Sequence, residues 1–278
     1  MRCTMELLLV ILLDLAAAPS DEPQQKAAPA DFKLVVTGFE VGDAPTEKAE
    51  LFGHGGRIYQ FRSESSEVVI VDPPVQRVDL LDIDVNHRVQ TSLPIRRLDD
   101  ELEKRRKETV SLIKSLEKDD DRANRISAQM HRDLLEPKLT GSFDASGHRL
   151  RLSGGVSEVE ATGEPDSDDL RLALIADVMP ALVKLDAMRD GASIPPFARL
   201  ETLSDLIGKH NLRPTELTFL YRLGGPPRKN RWTYRLVTSL TDREREALAR
   251  VEYLRLKAPK LRFETYEHRA EKAVRDRG

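Results

Sequence analysis

The sequence is poor in cysteine: Cys3 is the only one in 278 residues. It sits in a segment that reads as a cleaved export signal. Without that segment, disulfides, thiol catalysis and Cys-ligated zinc or Fe–S centres are all excluded. Aromatic residues make up only 5% of the chain, with one tryptophan, Trp232. Without cross-links, stability must come from an ordinary core. There is little net charge. Charged residues are 33% of the total but sum to −3, and to near −2 once Arg2, Glu6 and Asp14 are removed. Such a balance gives no global attraction to nucleic acid or to acidic membranes, and no nucleic-acid partner is expected. No segment approaches the ~20 apolar residues that span a bilayer, so no integral membrane span is expected after signal removal.

Catalytic signatures are also missing. There is no Gly-x-Ser-x-Gly elbow and no Ser-x-x-Lys motif. Gly53-His54-Gly55-Gly56 lacks the spacing of a phosphate loop and leads into a strand instead of a helix, so it reads as a turn. The histidines His54, His87, His131, His148, His210 and His268 share no zinc-motif spacing. Asp79, Asp82 and Asp84 cluster near a strand end, but the glycine and terminal glutamate of an EF-hand loop are absent. No catalytic, cofactor-binding or metal-ligating residue is assigned from the sequence, and no cofactor is expected.

What is present begins with Arg2, the apolar run Leu7-Leu8-Leu9-Val10-Ile11-Leu12-Leu13 and the small residues Ala16-Ala17-Ala18. This is the charged, apolar and small-residue order of a secretory signal, assigned to residues 1–20. Cys3 precedes the apolar run, whereas lipid attachment needs a cysteine after it. Residues 21–31, rich in Pro, Ala and Gln, read as a flexible spacer. The expected location is exported, periplasmic or extracellular.

Residues 32–265 are expected to form one α+β domain. Period-two runs broken by Gly, Pro and Asp predict an antiparallel meander over 32–95. Its strands are Leu34–Phe39, Ile58–Phe61, Val68–Val71, Val78–Leu81 and Val89–Leu93. A helical period follows over 98–135, roughly 57 Å long if unbroken. Asp119-Asp120-Asp121 offers a point of division, and Pro137 ends it. Further strands are expected within 139–161, with a turn at Asp144–Gly147.

Helices and a hairpin occupy 167–258. The first carries Leu170, Leu174, Val178, Leu182 and Leu185, with Pro180 expected to kink it. The hairpin spans Glu216–Leu223 and Arg231–Thr238. Its Arg228-Lys229-Asn230-Arg231-Trp232-Thr233-Tyr234 stretch mixes basic and aromatic residues. The tip is read as solvated, with Trp232 and Tyr234 facing the core. Thr241-Asp242-Arg243-Glu244 is a capping box for a last helix. Its surroundings resemble the start of a response-regulator helix-turn-helix, but no recognition helix follows. Residues 266–278 read as a frayed charged tail.

Gly56–Phe61, Val68–Asp72 and Val78–Asp82 together resemble the periplasmic lipoprotein-carrier half barrels, in which a glycine turn leads into consecutive antiparallel strands. The resemblance covers residues 32–95; the chain as a whole is similar to uncharacterised exported bacterial proteins. It implies a curved antiparallel sheet covered by helices, whose concave face could hold an acyl chain. The expected function is non-catalytic binding of a hydrophobic ligand or envelope-associated partner. The alternatives are a scaffolding protein acting through the 98–135 helix, and an envelope hydrolase with a site assembled in space.

Overall fold

The structure is a computed structural model that describes residues 29–40, 44–63, 65–85, 88–118, 121–189 and 194–275. The signal assigned to 1–20 and most of the spacer lie outside the described residues. Eleven strands form one antiparallel sheet: β1 Phe32–Phe39, β2 Glu47–His54, β3 Arg57–Arg62, β4 Glu67–Asp72, β5 Arg77–Asp82, β6 Val89–Pro94, β7 Thr140–Asp144, β8 Arg149–Gly154, β9 Ser157–Pro165, β10 Leu212–Tyr221 and β11 Arg228–Val237. Their spatial order is β6-β5-β4-β3-β2-β1-β11-β10-β9-β8-β7. The α+β class and the curved, helix-covered meander expected from the sequence are what the chain forms.

β2 is a strand the sequence reading missed. Its Glu-Lys-Ala-Glu start is polar, but the register sets Leu51 opposite Leu34 and Gly53 opposite Phe32. The Phe32 ring lies where a Cβ on Gly53 would go, which requires glycine there. Only Gly55 and Gly56 form the turn into β3. Both have positive φ, 58° and 75°, as a two-residue hairpin of matching twist demands.

Two helices, α1 Ile95–Leu116 and α2 Arg122–Leu135, join the edge strands β6 and β7. The expected 98–135 helix is therefore two helices. Asp121 ends the break, its carboxylate accepting the Ala123 N–H at 3.2 Å. Their apolar stripe divides too. Leu98 enters the main core, while Val110, Ile113 and Leu116 pack with Ala128, Leu135 and Phe197.

α3 Asp169–Arg189 and α4 Phe197–Leu203 lie between β9 and β10, and a single π-helical turn at Ser204–Lys209 follows α4. α3 runs unbroken through Pro180. It buries Leu172, Leu174, Ile175, Met179, Leu182, Val183 and Leu185, so apolar contact surrounds it and is not confined to one stripe. Leu170, assigned to the stripe, is instead exposed. The helix packs in one cluster with Leu34, Leu51, Ile58, Val69, Leu80, Leu150, Val159, Leu217 and Phe219, which occupies the concave face.

α5 Asp242–Lys257 covers the opposite face, packing Leu248, Val251 and Leu254 on Phe52, Tyr59, Val68, Ile70 and Leu81. Its capping box is formed: Thr241 Oγ1 accepts the Glu244 N–H and the Glu244 carboxylate accepts the Thr241 N–H. The link to α6 protects the edge of β6. Gln90 donates its N–H to Pro259 at 2.9 Å, and Leu261 donates to Gln90 at 2.8 Å. α6 Phe263–Arg275 replaces the expected frayed tail. Tyr266, 2% exposed, anchors it in the core.

Candidate functional site

The sequence assigned no site, but one depression in the structure takes in a stretch singled out there, Arg228–Tyr234. It is a cleft of ≈ 580 Å³ between β1–β3, the end of β10 and β11 on one side and α3 and α4 on the other. Val183, Ala187, Ile194, Pro195, Tyr221 and Trp232 supply its apolar wall. Arg62, Arg189, Arg199 and Arg228 supply cations, against Glu40, Glu47 and Asp186. An adjoining recess of ≈ 450 Å³ shares Glu40, Glu47, Arg62 and Trp232.

Period two brings these residues together. Trp232 and Tyr234 share the concave face of β11, and Phe219 and Tyr221 share that of β10. The Phe219 ring meets Trp232 edge-on at 5.9 Å and stacks on Tyr221 at 6.1 Å. Tyr234 is buried as expected. Trp232 is only half-buried, and it borders the cleft as well as packing on the core.

Three of the four arginines differ in their commitments. Arg62 pairs with Asp186 on α3 and approaches Glu47 at 3.5 Å, so it ties sheet to helix. Arg189, in the last turn of α3, forks onto Glu67 at 2.6 and 2.8 Å and onto Glu267 at 2.7 Å. Tyr266 donates its hydroxyl to the same Glu67 at 2.8 Å. Burial works against a charged Glu67, but the Arg189 bonds overcome it and hold the carboxyl below its usual range. These groups form a fixed structural lock at the rim.

Arg199 is different. Its guanidinium stacks over the Trp232 ring at 4.3 Å, and its Nε is buried without a hydrogen-bond partner. Among the described residues it has no carboxylate partner within ion-pair distance. Tyr221 and Tyr234 flank it. Burial pushes the Tyr221 hydroxyl up to about 12, with the Arg199 charge opposing; burial also raises Tyr234, again against Arg199. The Tyr234 hydroxyl is buried close to the Arg199 guanidinium, which opposes its rise by charge and by an approach in hydrogen-bond direction. The arrangement is one guanidinium stacked on the Trp232 face, with Tyr221 and Tyr234 close enough to feel its charge, beside an apolar wall.

The residues weighed in the sequence lie elsewhere. Asp79 is buried on the opposite face, where Arg255 and Arg77 approach it at 3.0 and 2.9 Å and Ser92 donates to it at 2.6 Å. Asp82 instead accepts the Asp84 N–H at 2.9 Å. The aspartates are thus drawn to different partners. His54 lies 2.9 Å from Asp31, and His210 stacks on Phe143 with centroids 3.7 Å apart. His87 lies outside the described residues. No group of three or more His, Cys, Asp or Glu among the described residues is placed to hold a metal. Among the described residues, no helix is long and apolar enough to cross a membrane.

One sequence signal did point to the cleft: the basic and aromatic stretch Arg228–Tyr234. Its Trp232 forms the stacking platform, while the partner Arg199 comes from a helix with no distinguishing pattern. No protein-family model and no curated protein matches the chain.

Proposed function

We propose that this chain is an exported, non-catalytic binding protein for an amphiphile, which it holds in the cleft between its curved sheet and α3–α4. The observation that carries this reading is the cleft itself, with an apolar wall of Val183, Ile194, Pro195 and Trp232 beside a row of arginines. The concave face beyond it is occupied by α3, so the ligand's apolar part lies along the α3–α4 side of the mouth. The carboxylates Glu47 and Asp186 both approach Arg62. Their charge is spent on that contact, which favours binding over acid–base chemistry.

Native mass spectrometry of the full protein, purified from its exported fraction without detergent, tests the reading. A stoichiometric adduct that partitions into organic solvent is the expected result. A clean protein mass, unchanged after incubation with lipid extract, would overturn it. Sequencing the N-terminus of the same sample reads export directly: the expected start lies just beyond residues 16–20, and a chain still beginning at Met1 would remove the exported location.

A further inference from the structure

We infer that Arg199, stacked on Trp232 at the cleft, is the recognition group for a negatively charged headgroup. This deepens the amphiphile reading and rests on it. Of the four arginines lining the cleft, Arg228 is exposed at the start of β11, and the other three differ in what they already hold. Arg62 and Arg189 have carboxylate partners, and their removal would break ties between helix and sheet. Arg199 carries the same charge in a partly buried place without a carboxylate partner among the described residues.

Burying part of a guanidinium against aromatic rings costs hydration, and the ring faces return only part of it. A negatively charged oxygen supplied from the cleft would pair with the Nη1 and Nη2 ends of the fork, since the orphaned Nε is itself buried. The planar fork suits a carboxylate or a phosphate, and lysine would not reproduce it. Stacking on Trp232 fixes the plane of the fork before the ligand arrives, which lowers the ordering cost of binding. The neighbouring Ile194, Pro195 and Val183 then take the first carbons of an attached chain.

Trp232 is the only tryptophan in the chain, so its fluorescence reports this site alone. The probes are dodecanoate, dodecyl phosphate, methyl dodecanoate and inorganic phosphate, each titrated below its micellar concentration into the full protein. The two acidic amphiphiles are expected to perturb Trp232 and to bind about 10-fold or more tightly than the ester. Arg199→Met should bring them down to the ester's affinity. Arg199→Lys, which keeps the charge but loses the fork, should fall between and guards against a folding defect in the first variant. Circular dichroism verifies both.

Equal binding of acids and ester, or a preference that survives Arg199→Met, would overturn the role of Arg199 and leave amphiphile binding standing. Inorganic phosphate binding as tightly as dodecyl phosphate would do the reverse: the anion site stands and the amphiphile falls. No response to any probe overturns both.

Discussion

The two halves of the sheet are built from the same strand geometry but face different surroundings. β3–β5 are covered on both sides, by α3 on the concave face and by α5 on the outer one. Their sequences are accordingly near-continuous apolar runs, as in Val68-Val69-Ile70-Val71, where every residue is buried. β8 and β9 are covered on the concave side only. They alternate strictly, with Leu150, Leu152, Val159 and Ala161 inward and Arg151, Glu158 and Glu160 in solvent. An apolar run thus marks a strand with two neighbours above and below, and an alternating one marks a solvated face. The same antiparallel sheet contains both.

The doubly covered half also pays a cost the other avoids. Polar groups on its outer face are trapped beneath α5. Tyr59 donates to Glu252 at 2.6 Å, and burial with that carboxylate pushes its hydroxyl up to about 12. Arg57 donates to buried Asp72 at 2.5 Å, and Asp79 holds Arg255. In a low-dielectric setting each such group needs its partner. On the outer face of β8 and β9, the pair Arg149–Glu160 at 3.1 Å is open to water and is worth little.

This contrast can be broken at graded positions. The largest loss is expected from Asp79→Ala, which removes the buried carboxylate shared by Arg255, Arg77 and Ser92 and leaves Arg255 to Glu252 alone; about 3–5 kcal/mol should be lost in denaturant unfolding. An Asp79→Ala, Arg255→Met double variant that is no less stable than its parent would show the pair to be dispensable. Ile70→Ala, at the outer face of β4, should cost about 2–4 kcal/mol through the cavity it leaves. Thr241→Ala removes the cap of α5 and should cost about 1 kcal/mol, read as a lowered unfolding midpoint.

The acid limb of the stability curve offers another probe. The Lys33 hydrogen bond, with the Thr241 backbone, lowers Glu244 to about 2. A depressed carboxyl stabilises the fold above its ordinary value near 4.5, and that contribution is lost as pH falls toward about 2. Lys33, raised by the same contact, loses its contribution only at strongly alkaline pH. Lys33→Met should therefore flatten the stability profile between those acid limits and leave the neutral region less stable. An unchanged acid limb would dismiss the contact. The smallest effect belongs to the solvated half: Arg151→Ala should stay within about 0.5 kcal/mol. A larger loss there would mean that something covers this face.

Much of this was legible in sequence because the signals are local. Period two marked most of the strands, the Asp144–Gly147 turn was read from its aspartate, and Thr241 with Glu244 marked the start of α5. β2 was missed because its first half is polar and its glycine answers to Phe32, a partner in another strand. α6 was missed because a charged surface hides its few anchoring residues, Tyr266 with Phe263. The cleft was half visible: Trp232 stood out beside its arginines, but Arg199 lies 33 positions earlier on a different element.

The sequence by itself determined that the chain alternates between strand and helix, where most turns and caps fall, and that no thiol chemistry remains beyond Cys3. Those properties depend on neighbours a few residues apart. The tertiary structure alone decided that α3 fills the concave face, that α5 seals one half of the sheet and leaves the other solvated, and that one arginine meets Trp232 without a carboxylate partner among the described residues. Each depends on residues far apart in the chain meeting in space, and no local pattern encodes that meeting.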